Sequence, residues 1–461
     1  MQVMKFGGGC LRDGRDLLRV AKIVRQSGGV PLALVVSAAY GVTDILDEAV
    51  RSALRSEDEV QLYVDRVRQR HFKMLDETVT EPSLRSEVGT AIEERLRRLE
   101  RLLYGVAYTG EMVDPVRVLV LSQGERLSAL LMAGVLRQTG LPSEALESDR
   151  IGVVTDGSCD NATADLAEVA RNLSSTVRPL IDRGIIPVIT GFFGCTPEGK
   201  TSSFGRNGSD YSAAVIARAL GAQSLHIWKD ADGFMTADPR LVPDARRIDE
   251  LSYYEAAELS YFGAKILHPR TVEPLVGSSI SVSIRSVHAP DRVGTIVRPD
   301  GRAGSNVVKS VTYNTGVSVL RVHGAGVGHK PGIIGDIGRR LSDRGINIYS
   351  VITSQTCINL LLDSADSERS VVALRPLVGG VIERIEVRQD VALVAVVGEG
   401  VLRTKGIAAM VFSAVAERGI NVEMISAGAS EVAYYFLVPR GDLESAVRAV
   451  HNRAFVQEYR P

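Results

Sequence analysis

The C-terminal third of the chain repeats itself. Laying Val317 on Val391 aligns, without a gap, Gly324 with Gly398, Gly326 with Gly400, Gly332 with Gly406, Ile333 with Ile407, and Arg344-Gly345-Ile346-Asn347 with Arg418-Gly419-Ile420-Asn421. Each copy reads as a strand, a glycine-bearing turn, a helix ending at Arg-Gly and a second strand opening at Ile-Asn, with Gly345 and Gly419 placed to stop the helices. Strand, helix, strand is the first half of a small βαββαβ sandwich. The first copy continues through Ile358–Leu362, a helix near Glu368–Leu374 and a strand Ile382–Val387, which completes four strands. The second runs through Val432–Val438 and a helix Leu443–His451, after which only the polar stretch from Asn452 to Pro461 remains. The orphan strand Val307–Tyr313, just before the first copy, has the length and pattern to fill the missing edge. The first copy is therefore expected to be inserted into the second, as residues 314–388 within 301–313 plus 389–461.

Upstream, from residue 1 to about 300, short β-branched runs alternate with amphipathic stretches. Gln2–Phe6, Ala33–Ser37, Val116–Leu121, Ile185–Thr190, Ser224–Ile227 and Ile280–Ile284 read as strands, apolar on most positions as in a sheet covered by helices on both faces. Between the second and third lies a charged segment, Thr43 to Leu103, that reads as a helical excursion broken near Pro82. The fold class is α/β: an open, mostly parallel sheet covered by helices, followed by two small βαββαβ domains.

Composition narrows the function. At about 150 residues per domain, 461 residues suggest roughly three units. Lys+Arg 54 against Asp+Glu 55 leaves a net charge of -1, with no basic block dense enough to neutralise a run of phosphates, so nucleic acid is not an expected partner. Apolar residues at 45% and charged residues at 24% exclude disorder as the main state. The longest mostly apolar run, Val30 to Ala39, is about half the ~20 residues a membrane helix needs, and the N-terminus lacks a signal-peptide charge pattern. No membrane partner and a cytoplasmic location are expected. Cys10, Cys159, Cys195 and Cys357 are far apart, which supports neither a zinc site nor a disulfide framework.

Three motifs carry chemistry, each with a plainer alternative. Lys5-Phe6-Gly7-Gly8-Gly9 closes the first strand, where glycine amides can approach an anion and Lys5 supplies a point charge; a plain tight turn explains it equally well. Ser203–Tyr211 opens a helix. Capping accounts for Ser209 and Asp210 but not for Arg206 between glycines, whose guanidinium can take a carboxylate bidentately. Lys229-Asp230-Ala231-Asp232-Gly233 closes another strand, where open α/β sheets place ligand contacts, although such acidic turns are commonly just solvated. Gly324-Ala325-Gly326-Val327-Gly328 looks like a dinucleotide loop, but its twin at Gly398 to Gly400 assigns it to the repeat.

Together these segments resemble the aspartate kinase family over essentially the whole chain. The resemblance rests on Lys5–Gly8, Val36-Ser37-Ala38 through Gly41-Val42-Thr43-Asp44, Ser122-Gln123-Gly124-Glu125-Arg126, Gly205–Tyr211, Trp228–Gly233, Thr236–Arg240 and Phe262–Pro269. The repeat resembles the paired ACT domains with which such kinases sense amino acids. The stretch from Gly205 to Pro274 is most similar to the kinase half of fused aspartate kinase and homoserine dehydrogenase enzymes, with no dehydrogenase segment after it. A stand-alone kinase is the expectation.

The resemblance implies ATP and magnesium as cofactors, L-aspartate as substrate, a small amino-acid effector at the ACT domains and a homo-oligomer, dimer or higher. It implies that Lys5 stabilises the transferring phosphoryl group with the Gly7 and Gly8 amides, while Asp210 holds the lysine. Glu125 takes the substrate ammonium and Arg206 its α-carboxylate, with Thr43 and Ser209 adding contacts; Lys229, Asp230, Arg240 and Lys265 lie along the nucleotide. Magnesium is carried by ATP oxygens and water, with no protein metal site. The chain departs from the family at Gly9-Cys10, usually Thr-Ser, and at Met235, where a tyrosine is common. Tyr349 occupies a position that is acidic in lysine-inhibited relatives, which favours threonine over lysine as effector. A same-fold kinase of another small amino acid or carboxylate, and a non-catalytic amino-acid sensor, are the alternatives.

Overall fold

The apolar runs of the first three hundred residues assemble into one sheet. In the computed structural model, which describes residues 1–205, 208–264, 266–300 and 307–456, the first strands are β1 (Gln2–Phe6), β2 (Leu32–Val36), β3 (Ser143–Leu146), β4 (Ile186–Thr190), the short β5 (Phe193–Cys195) and β6 (Thr201–Ser203), β7 (Ser224–Lys229), β8 (Glu250–Ser252), β9 (Ser281–Ser286) and β10 (Ile296–Arg298). Eight of them form the main sheet in the order β3-β4-β2-β1-β7-β9-β10-β8, parallel throughout except β9 against β10, while β5 and β6 make a separate hairpin. β1 has β2 on one side and β7 on the other. The chain thus leaves β1 in one direction and returns on the opposite side, the arrangement that opens a crevice at the carboxyl ends of parallel strands.

The helices over this sheet are α1 (Gly14–Gln26), α2 (Val42–Ala53), α3 (Val60–Thr78), α4 (Pro82–Thr109), α5 (Asp114–Leu121), α6 (Gln123–Gln138), α7 (Leu166–Thr176), α8 (Arg178–Asp182), α9 (Gly208–Ala219) and α10 (Tyr253–Tyr261). Alternation along β1 divides them. Met4 and Phe6 join the core built by α1 to α4 and α6, whereas Lys5 points to the face that α9 covers. The helical excursion breaks twice, at 54–59 and at 79–81, and Pro82 opens α4 at its first turn, where a missing N–H costs nothing.

Val116–Leu121, expected as a strand, is helical. Its alternation imitates a strand, but Asp114-Pro115 forms a helix start and α5 runs almost directly into α6. By length and composition Asp114–Gln138 could cross a membrane, yet 89% of its most apolar window is buried inside the protein, as a core helix requires.

The repeat supplies β11 (Ser310–Asn314), β12 (Val317–His323), β13 (Ser350–Thr353), β14 (Cys357–Asp363), β15 (Arg384–Arg388), β16 (Val391–Val397), β17 (Met424–Ala427) and β18 (Ala433–Pro439), with α11 (Ile333–Ser342), α12 (Ser367–Leu374), α13 (Ile407–Ala416) and α14 (Leu443–Phe455). Two antiparallel four-stranded sheets result, β13-β14-β12-β15 and β17-β18-β16-β11. β11, earlier in the chain, pairs with β16 as β15 pairs with β12. Gly345 and Gly419 take left-handed backbone, φ 65° and 70°, just past α11 and α13.

By compactness the chain divides into one unit of Met1–Phe234, Arg247–Ser260 and Lys265–Arg302, and a second of Met235–Arg246, Tyr261–Ala264 and Ala303–Pro461. Two short segments from before residue 300 therefore belong with the repeats. The Val311 N–H donates to the Thr236 carbonyl at 2.9 Å, the Tyr313 hydroxyl to Asp238 at 2.8 Å, and Thr236 Oγ1 lies 3.0 Å from His451 Nε2.

Candidate active site

The carboxyl ends of β1 and β7 carry a lysine each. Lys5 is the fourth of the five residues of β1, with a side chain 6% exposed, and Lys229 is the last of β7. Both meet one carboxylate: Lys5 Nζ lies 2.5 Å from Asp210 Oδ1, and Lys229 Nζ donates to Asp210 Oδ2 at 3.0 Å. Asp210 comes from the first turn of α9, where the helix dipole also favours an anion. Burial alone would raise the Asp210 carboxyl, but the charges of Lys229 and Lys5 and their hydrogen bonds outweigh it and hold the group well below the usual carboxylate range. The Asp210 carboxylate is therefore ionised across the physiological pH range.

Glu125 stands in the first turn of α6 and is fully enclosed. Its burial pushes the carboxyl up to about 7, against hydrogen bonds from the Ala38 and Glu125 amides, the charge of Lys5 and the Ser209 hydroxyl. Two glycines allow these approaches. A Cβ on Gly124 would lie 2.7 Å from that of Ala38, and one on Gly191 would lie 2.7 Å from that of Ser209, so a larger residue at either position would push a helix start out of the site. Arg126 anchors α6 from behind. It is 2% exposed, bonds Asp149 at 2.6 Å as well as Glu147, and stacks 4.4 Å from the Phe193 ring centroid.

The glycine turn after β1 is held against its neighbours. Its first N–H, from Gly7, donates to the Trp228 carbonyl at 3.3 Å, so that amide is turned toward β7. A Cβ on Gly8 would lie 2.9 Å from the Ala38 carbonyl. The Cys10 thiol is buried, donates to the same Trp228 carbonyl at 3.3 Å and is pushed up to about 11 by burial. It acts as a packed donor to the backbone and not as a thiolate. Phe6 and Trp228 stack at 5.7 Å and lock the two strand ends together.

Lys5, Glu125, Ser209, Asp210 and Lys229 are thus brought together. Asp230 follows β7 and is half exposed, pairing with Arg12 at 2.8 Å, while Arg12 also lies 5.5 Å from the Tyr40 ring centroid. Thr43 is exposed on the first turn of α2. Arg240 belongs to the second unit, where its exposed guanidinium forks onto Asp238. Arg206 and Lys265 lie outside the described residues. Sequence reasoning gave no role to Arg12, to Ala38 as an amide donor, or to Arg270. The last donates to Asn161, Ala162 and Thr163 and stacks over Tyr211 at 4.6 Å, bracing α9. Only Ala38 lay in a motif that could have drawn attention to it; the others are set by tertiary contact. Among the described residues no three His, Cys, Asp or Glu side chains converge as a metal site.

Residues 1–286 match the Amino acid kinase family, and residues 394–454 match an ACT domain. Lysine-sensitive aspartokinase 3 of Escherichia coli is 30% identical over 459 residues, 98% of this chain and 99% of the relative. Bifunctional aspartokinase/homoserine dehydrogenase 2 of Arabidopsis thaliana is 29% identical over 98% of this chain, and the chain spans 50% of its length and 56% of two bacterial bifunctional relatives, about half in each case. Among solved structures, E. coli aspartokinase III in complex with aspartate and ADP has a TM-score of 0.85 at 30% identity, with 99% of this chain and 100% of that chain covered. The same enzyme with lysine and aspartate scores 0.80. A family match over more than half the chain, and a relative similar from end to end, give one conclusion: the chain belongs to the amino acid kinase family and, within it, to the aspartokinases.

Proposed function

We propose that this protein transfers the γ-phosphoryl group of ATP to the side-chain carboxylate of L-aspartate, forming 4-phospho-L-aspartate, the first step of aspartate-family amino acid biosynthesis. The observation that carries the reading is the buried Asp210 held between Lys5 and Lys229, with Glu125 beside it.

The chemistry fits what these groups can do. The nucleophile is a carboxylate oxygen, already anionic. It forms a bond to the γ-phosphorus as the bond to the β–γ bridging oxygen breaks, and ADP leaves as an anion. No proton has to move, so the site needs no general base; it needs fixed positive charge where negative charge spreads. Lys5 supplies that charge, and Asp210 keeps it aimed. Glu125 receives the substrate ammonium, which stabilises its ionised form, and Ser209 and Thr43 add contacts. Arg206 takes the α-carboxylate. Lys229, Asp230 and Lys265 bind the nucleotide with the Gly8 amide, and magnesium arrives on the ATP oxygens.

The aspartate and ADP held by the E. coli enzyme support this substrate pair. We place the reaction in the cytoplasm and in a homo-oligomer, under an amino-acid effector bound near Gly332 and Asn347. Tyr349 no longer argues for threonine over lysine there: its hydroxyl lies 3.5 Å from Asp363, whose carboxylate can receive an ammonium.

The test is hydroxylamine trapping with ATP, magnesium and a panel of acidic amino acids. Aspartyl hydroxamate is expected. Product from another carboxylate alone makes the protein a same-fold kinase of that substrate, and product from none makes it a sensor.

A further inference from the structure

Arg12 follows the glycine turn of β1 and reaches across to the end of β7. The turn lies between two charges: a Cβ on Gly7 would lie 3.5 Å from Lys5 Nζ, and one on Gly9 would lie 3.1 Å from Asp230 Oδ2. Asp230 directly follows Lys229, the last residue of β7. The Arg12 guanidinium closes the span by donating to Asp230 Oδ2 at 2.8 Å. It therefore stands at the carboxyl ends of neighbouring parallel strands, where open α/β sheets bind their ligands.

The turn itself has little left to offer an anion. The Gly7 N–H donates to the Trp228 carbonyl, the Cys10 N–H to the Gly7 carbonyl and the Cys10 thiol again to Trp228, while Gly9 brings no side chain where the family usually has a hydroxyl. Lys5 and Lys229 are both committed to Asp210. Donors for a polyphosphate must come from elsewhere.

The two ends of Arg12 are held differently. Its N–H donates to Asp16 Oδ2 at 3.3 Å, its carbonyl accepts from Arg70 of α3 at 3.3 Å, and nearby the Gly14 N–H donates to Glu77 of α3 at 3.0 Å. The backbone is clamped. The head is 42% exposed, its acceptor is 51% exposed, and among the described residues Asp230 takes one of its five N–H donors and is its only side-chain hydrogen-bond partner. The Tyr40 ring, 5.5 Å away and itself exposed, keeps the guanidinium from swinging at random. A pair this exposed adds little to stability. A fixed stem carrying a planar, permanently charged and exchangeable head suits paired phosphate oxygens instead.

We propose that Arg12 binds the β- and γ-phosphates of the nucleotide: its guanidinium leaves Asp230 for two phosphate oxygens when the triphosphate enters, and remains over Tyr40 as it does so. The exchange follows from charge, since one solvated carboxylate competes with several anionic oxygens in a geometry that matches the guanidinium fork. Without nucleotide, Asp230 holds the arm at the strand ends, so little ordering is required on binding. Asp230, once released, is available for its own contacts to the nucleotide. The proposal rests on the reading of the site as an ATP-dependent kinase and assigns it a phosphate ligand from outside the buried cluster.

Isothermal titration of the full chain with ATP and ADP in the presence of magnesium tests it. Arg12→Ala is expected to weaken both about tenfold or more, with the melting temperature almost unchanged; Arg12→Lys, which keeps the charge but not the fork, falls between. In initial rates the loss appears in the KM for ATP, while that for aspartate stays nearly level. Equal affinity of wild type and Arg12→Ala overturns the proposal and leaves a surface ion pair. Weakening accompanied by a melting temperature lowered by several degrees, with no recovery in Arg12→Lys, shows a structural role and also overturns it. A residue that acts only by holding Asp230 is told apart in an Asp230→Asn background: Arg12→Ala must still weaken ATP there, and loss of the effect overturns direct contact. A wild-type chain that binds neither nucleotide refutes the kinase reading itself, whereas the other failures leave that reading standing.

Discussion

Asp210 and Glu423 are each a carboxylate flanked by two bases, in different halves of the chain. Asp210 is 3% exposed, with Lys5 at 2.5 Å and Lys229 at 3.0 Å; Glu423 is 12% exposed, with Arg388 at 2.5 Å and Arg321 at 3.6 Å. The first cluster is the more buried and has both of its contacts close, with only Lys229, 20% exposed, reaching solvent. The second reaches solvent through arginines 28% and 39% exposed, and one of its contacts is loose. Tight pairing under burial suits a site whose charge must be fixed before substrate arrives.

If that contrast is right, Lys5→Ala removes about 3–4 kcal/mol of transition-state stabilisation, a loss of roughly two to three orders of magnitude in kcat, because one preorganised charge aimed at the phosphoryl group disappears. Lys229 remains to compensate Asp210, so the fold survives. Initial rates settle the matter: a variant that keeps more than about a tenth of the wild-type kcat places the essential charge elsewhere.

Glu125 gives a test by pH. Its carboxyl titrates at about 7 in the free protein, and only the carboxylate can receive an ammonium ion. Below that value the neutral form dominates, so kcat/KM for aspartate should fall toward tenfold per pH unit as pH drops, while the nucleotide KM stays nearly level. Glu125→Gln should lower kcat/KM and flatten the profile. An unchanged inflection in that variant assigns the titration to another group.

Much of the first unit's sheet was legible because its strand ends are marked by glycine and lysine, and the repeat was legible because glycines punctuate both copies at the same spacing. Three things were not. Val116–Leu121 alternates like a strand, and only the helix that continues into α6 shows its real period. The hairpin of β5 and β6 is too short to carry a pattern. Arg12 over Asp230, and Arg321 against Glu423, join residues more than a hundred positions apart, and spacing along the chain carries no trace of such pairs.

The looser cluster should matter less to stability. Glu423→Gln removes a charge whose partners already reach water, so a cost of about 1 kcal/mol is expected, or roughly 2–4 °C in the melting of a unit of this size. A loss several times larger shows that Glu423 holds the two copies together as rigidly as Asp210 holds Lys5.

The smallest effect is expected where the chain departs from its family, at Gly9 and Cys10. A Cβ on residue 9 would lie 3.1 Å from Asp230 Oδ2, tighter than ordinary contact, but Asp230 is about half exposed and can move aside, giving up its solvent-screened pair with Arg12. A threonine hydroxyl at that position can itself donate to the displaced carboxylate. Cys10 is buried with its thiol on the Trp228 carbonyl, and a serine there makes a shorter and stronger bond in slightly less volume. Neither change touches Lys5, Asp210 or Glu125, so Gly9→Thr combined with Cys10→Ser should leave kcat on aspartate within about twofold, or raise it modestly. Initial rates across the acidic amino acids decide what the departure means. If aspartate turnover collapses while another carboxylate becomes a substrate, Gly9 and Cys10 set specificity, and the charged cluster, though intact, serves a different acceptor.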